Sequence, residues 1–107
     1  MILEQEQLST VIDLLQARLK PEAIYLFGSQ ASGQASSGKG DVDLFVIVGD
    51  DKNPYHETVD AYESLQEMPF PKDIIVRCKS RFEQRATWPF TLESEVLRTG
   101  RMVYSHE

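Results

Sequence analysis

The sequence is poor in the residues that build cross-links and metal cages. Cys78 is its only cysteine, which excludes an internal disulfide and any multi-cysteine metal site. Within Ile74-Ile75-Val76-Arg77-Cys78 it reads as a buried small hydrophobe, in preference to a reactive thiol. His56 and His106 have no second ligand at zinc spacing. No apolar run approaches the roughly 20 residues of a membrane span. The N-terminus carries acids and glutamines where a secretory signal would place a basic region before an apolar one. A cytoplasmic protein is therefore expected. Positive charge is also scarce: 11 Lys and Arg against 17 Asp and Glu give a net charge of −6. That opposes tight non-specific binding to nucleic acid, which depends on neutralising phosphates. It suits a chain that collects divalent cations or meets a basic partner. The scarcity is uneven. Lys72, Arg77, Lys79, Arg81 and Arg85 lie close together and outweigh Asp73 and Glu83. This group reads as a solvated face, or as a contact for phosphates or an acidic partner.

With 107 residues, 41% of them hydrophobic, the chain predicts one globular domain over residues 1–107. Leu8, Val11, Ile12, Leu15 and Leu19 recur at helical spacing, so residues 4–20 read as an amphipathic helix closed by Pro21. Residues 23–27 read as a strand bounded by proline and glycine. Residues 29–35 leave room only for a short helix or turn, and Gly33, Ser36, Ser37, Gly38 and Gly40 predict a flexible loop. Val42 to Val48 is β-branched and apolar on both faces, which predicts a central, covered strand. Asn53-Pro54 caps a helix reaching about Gln66, with Val59, Tyr62 and Leu65 along one side. Residues 73–78 form a third strand. Residues 81–90 are hard to read: Glu83 to Ala86 admits a helical turn, and Trp88-Pro89 breaks it. Phe82, Trp88 and Phe90 read as core packing in preference to a partner-binding patch. Thr91 caps a helix over 92–99 ended by Gly100, and residues 102–104 admit a last short strand. The order predicts an α/β (α+β) fold with a central mixed sheet of about three or four strands flanked by helices.

The chemistry gathers between Ile24 and Val48. An apolar strand ends in Gly28-Ser29, eleven residues follow, and Asp41-Val42-Asp43 then opens the strongest strand. Acids at the mouth of a buried strand add nothing to its packing. Strand side chains alternate, so Asp41 and Asp43 project from one face with Cα atoms roughly 6–7 Å apart. Two carboxylates at that distance can converge on one hard cation or flank two, and magnesium fits, because it takes one or two carboxylates with phosphate oxygens and water. Asp73 opens the next strand and joins the site if that strand lies beside the second. Gly28 lets a phosphate approach the backbone. Ser29 opens a helical turn whose free N–H groups bind anions. These are the parts that phosphoryl or nucleotidyl transfer requires, since that chemistry is mostly positioning and charge neutralisation. Each motif alone is weak, and surface acids that merely decorate strand ends are the plainer reading; the combination carries the signal.

At these residues the chain resembles the nucleotidyltransferase superfamily that includes DNA polymerase β. It looks most like the minimal nucleotidyltransferases, encoded beside HEPN-domain partners, over about Ala23 to Tyr104. Gly28, Ser29, Asp41, Asp43 and Asp73 match the family's glycine-serine turn and its three acids, and Arg101-Met102-Val103-Tyr104 resembles its closing strand. The resemblance implies an antitoxin that transfers AMP from ATP to a tyrosine of a HEPN ribonuclease toxin. It implies Mg2+ held by Asp41, Asp43 and Asp73, with Asp73 helping to deprotonate the attacking hydroxyl. Gly28, Ser29, Gln30 and Lys39 would hold the triphosphate. Many relatives carry arginines after the glycine-serine pair, where this chain has Gln30 and Ser32; Lys39, Lys72 or Arg77 are the available replacements. Two alternatives stand beside the enzyme: an antitoxin that works by direct binding, and a subunit that completes another protein's substrate site.

Overall fold

A computed structural model describes residues 3–28 and 41–106. The described residues form helix α1 (Gln5–Leu19), strands β1 (Ala23–Phe27) and β2 (Val42–Val48), helix α2 (Pro54–Ser64), strand β3 (Lys72–Cys78), helices α3 (Lys79–Ala86) and α4 (Leu92–Thr99), and strand β4 (Arg101–Ser105). The strands make one mixed sheet in the order β3-β2-β1-β4. β1 runs antiparallel to both β2 and β4, while β2 and β3 are parallel. Among the described residues no helix is long and apolar enough to cross a membrane.

Both faces of the sheet are covered. On one face Ile24, Leu26, Leu44, Val46, Ile74 and Val76 pack against Leu8, Val11, Leu15 and Leu19 of α1 and Ala61 of α2. On the other, Tyr25, Phe45 and Ile47 meet Phe82 of α3 and Val96 of α4. Here Phe45 lies 5.4 Å from Phe82 and 6.3 Å from Phe27, ring centre to ring centre. The apolar cover of this second face stops at Phe45. Asp43, two residues earlier and of the same parity, is the next side chain on that face and the one residue of β2 that is not fully buried.

The helix ends follow their local chemistry. Glu4 and Gln7 form a reciprocal capping box at the start of α1. Asn53 accepts the Tyr55 N–H at 2.9 Å, and Thr91 accepts the Ser94 N–H at 3.1 Å. Three details depart from expectation. Residues 79–86 form a full helix where only a turn was expected. With Phe82 as its one buried residue, α3 has no apolar stripe to announce it. It is held from outside, by the aromatic cluster and by Asp50, which accepts the Ser80 N–H at 2.9 Å. Second, Phe82 packs in the core as expected, but Trp88 and Phe90 are exposed. The Thr91 hydroxyl lies 2.8 Å from the Arg85 carbonyl and 3.0 Å from that of Trp88, closing a tight turn that directs both rings outward. Third, α2 lies on the sheet through Ala61; Leu65, just past its end, is buried, but Val59 is exposed. Cys78 is half-buried and free, and packs against the larger core.

Glu93 on α4 is the one buried charged residue of the described chain, at 1% exposure. Arg77 Nε lies 3.3 Å and Arg85 Nε 3.1 Å from its Oε2. Burial pushes its proton affinity up, but its own backbone N–H and the two guanidiniums, Arg85 foremost, outweigh burial and hold the carboxyl below its ordinary value. A lowered folded-state value adds stability that is full above the unfolded value and lost as pH falls through the folded one. Glu93→Gln is therefore expected to cost about 2 kcal/mol at neutral pH, the order of a charged hydrogen bond, and to flatten the acid limb of stability. Urea midpoints measured from pH 7 downward check both.

Candidate active site

Two strand registers build the site. In the antiparallel pair, Phe27 of β1 faces Asp43 of β2. In the parallel pair, Asp43 faces Asp73 of β3. Adjacent strands lie about 4.8 Å apart, so Asp43 and Asp73 are direct neighbours on one face. Asp41 immediately precedes β2 and is exposed, as is Asp73. The sequence could only make Asp73 conditional on strand order; the β2–β3 ladder meets the condition.

Of the three acids Asp43 is the most enclosed, and it feels the other two. Asp43 holds its proton more tightly than an ordinary aspartate, first because of burial, then because of the charges of Asp73 and of Asp41. Like charges beside a half-buried carboxylate favour a compensating cation. Among the described residues no group of three or more acids, histidines or cysteines is placed to hold a metal ion, so Asp41, Asp43 and Asp73 are not brought together as the three-carboxylate set expected of them. A magnesium ion needs only one or two carboxylates, its other ligands being phosphate oxygens and water. The donor set therefore fits a hard divalent cation shared with a phosphorylated substrate.

Gly28 has a second role that its sequence context did not reveal. Its φ is +70°, and a Cβ built there would sit 2.4 Å from Asp43 Oδ2. The turn thus needs glycine twice: for its left-handed backbone and for the space the carboxylate occupies. Ser29, Gln30 and Lys39 lie outside the described residues. Of the other candidate phosphate ligands, Lys72 is turned away, its amine bonded to the Phe70 carbonyl at 3.0 Å. Arg77 is held at Glu93.

Tyr62 is the residue that sequence reasoning missed. Its hydroxyl accepts the Ile74 N–H at 2.9 Å and lies 3.4 Å from Asp73 Oδ1, within reach to donate. It ties α2 to the free edge of β3 beside the third acid. No spacing in the sequence marks it, because the contact exists only once α2 docks. Tyr62→Phe is expected to lower stability by about 1 kcal/mol. Activity should fall roughly 10-fold or more through misplacement of Asp73. Chemical denaturation and steady-state rates read the two effects separately.

The family described as Polymerase beta, Nucleotidyltransferase matches residues 9–107. The chain belongs to this nucleotidyltransferase family. No curated protein matches it closely enough to add a nearer relative. Nucleotidyltransferases of this kind generally use a nucleoside triphosphate and Mg2+, and the class of activity is transfer of a nucleotidyl group. The family's mixed sheet with helices on both sides is the architecture found here.

Proposed function

We propose that this nucleotidyltransferase is the antitoxin of a toxin–antitoxin pair, transferring AMP from ATP to a tyrosine of a HEPN-domain ribonuclease and so silencing it. The observation that supports this most is the register that sets Asp43 beside Asp73, with Gly28 closed against Asp43. Asp41 and Asp43 would hold the magnesium ion, with Asp73 completing the set. Bound there, the ion would neutralise charge on the phosphate oxygens. Asp73 would take the proton as the tyrosine oxygen bonds to the α-phosphorus, and the bond to the departing pyrophosphate breaks. Gly28, Ser29, Gln30 and Lys39 would steady the triphosphate tail.

The test is to incubate the chain with ATP, Mg2+ and the HEPN partner and weigh the partner. The expected result is a gain of whole adenylate units that disappears with Asp41→Asn. Asp73→Asn should stay folded while transferring more slowly. A second reading is favoured by Gln30 and Ser32, uncharged where relatives carry arginine: neutralisation by binding alone. Equal neutralisation of the toxin by wild type and Asp41→Asn, with no mass change, selects that reading over the enzyme.

A further inference from the structure

The basic group of residues 72–85 is not used by the site above, and the fold splits it. Lys72 bends back onto the Phe70 carbonyl. Three arginines, Arg77, Arg81 and Arg85, instead line a cavity of about 700 Å³ together with Tyr55 and Thr58. It lies at the far end of β3, which is an edge strand. Arg77 is four residues from Asp73, about 13 Å along the strand. The cavity is therefore separate from the acids.

Its charge is not balanced. Glu93 meets Arg77 and Arg85, each through Nε. Arg77 Nη1 also donates to the Val76 carbonyl at 3.0 Å, and the Arg85 guanidinium lies over the Trp88 ring. Neither Nη of Arg85 has a hydrogen bond among the described residues, and Arg81 has no ion-pair partner there. Three guanidiniums against one carboxylate leave two positive charges over, in a chain of net charge −6. The first turn of α2, with Pro54 and Tyr55, adds the positive end of a helix. A phosphate group, at about −1.5 to −2 near neutral pH, matches that excess, and guanidinium forks suit its oxygens.

Size and the wider field separate a small ligand from a large one. The cavity has the volume of a small-molecule site. An acidic macromolecule would meet the net negative charge of the whole chain as it approached. A small anion inside the cavity lies within about 8 Å, one screening length, of the arginines and feels chiefly them. Tyr55, 82% exposed on the cavity wall, offers a ring face on which a base can stack. We propose that this cavity is a second, metal-independent site that binds a nucleotide by its phosphate, with Arg81 as the free anchor and Tyr55 as the platform for the base.

The experiment is a calorimetric titration of the whole chain with ADP and, separately, with inorganic phosphate, both in EDTA. ADP is expected to bind without metal. Arg81→Glu should weaken it at least about 10-fold. Tyr55→Ala should weaken ADP and leave phosphate unchanged, while Asp43→Asn should alter neither. Arg81 and Tyr55 are both exposed, so these variants should remain folded, and Arg81→Ser repeats the test without charge reversal. No heat with ADP in EDTA, wild-type affinity in both Arg81 variants, or loss of binding in Asp43→Asn overturns the proposal. So does poly-glutamate binding more tightly than ADP, which would assign the patch to an acidic partner. None of these outcomes depends on whether the chain transfers AMP.

Discussion

Asp43→Asn is expected to lower nucleotidyl transfer by about 10³-fold or more, the order lost when a charge-handling group leaves a reacting centre. The same change should leave the metal-free fold no weaker and slightly stronger, by roughly 0.5 kcal/mol, because it removes a like charge from a direct cross-strand pair. The two signs together make the prediction specific. A residue present for structure would lose stability along with activity. Asp43 is raised in proton affinity by burial and by the charges of Asp73 and Asp41. A raised folded-state value means that its contribution is fully present below the unfolded value and is lost as pH rises through the folded one. Metal-free wild type should therefore lose some stability as pH climbs through that window, opposite in sense to the contribution of Glu93. The Asn variant should lack this component, and added Mg2+ should offset it in wild type alone. Thermal melts across pH with EDTA and with Mg2+, beside a transfer assay, decide it. Full activity in Asp43→Asn, or a marked loss of stability, would remove this acid from the chemistry.

The second large effect is at Gly28. Gly28→Ala places a Cβ where Asp43 Oδ2 now stands, 2.4 Å away, on a backbone with φ of +70°. The left-handed conformation costs a non-glycine residue about 1–2 kcal/mol. The carboxylate must also move, or β1 must shift against β2. A displacement of about 1 Å at a reacting centre can cost about 10²-fold in rate. We expect a loss of that size in transfer, with a fall in stability of about 1–2 kcal/mol. If Gly28 served only the approach of a phosphate, the affinity for ATP would change while magnesium binding by the acids did not. Because the added methyl meets Asp43, magnesium affinity should fall as well, and calorimetry with the metal separates the two cases.

The placement of Asp41 and Asp43 at the mouth of β2 was legible before the fold was known, for a definite reason. Acids at the mouth of an apolar strand add nothing to its packing, and the spacing of Asp41 and Asp43 alone marks them as candidates. Gly28 was found as a turn residue, yet its contact with Asp43 depends on the antiparallel register of β1 and β2. Helix α3 and Tyr62 were not legible. One is stabilised through a single phenylalanine and an acceptor 30 residues away. The other acts only across the junction of α2 with β3.

By itself the amino-acid order determined the strand and cap positions and placed two candidate acids at the mouth of β2, because alternation, capping and turn chemistry are local. Tertiary structure alone decided that Asp73 stands beside Asp43, that Glu93 draws Arg77 and Arg85 to the end of β3, and that Arg81 has no ion-pair partner among the described residues. Strand order and helix docking bring together groups far apart along the chain. Their charges act on one another through space, and no local pattern records that distance.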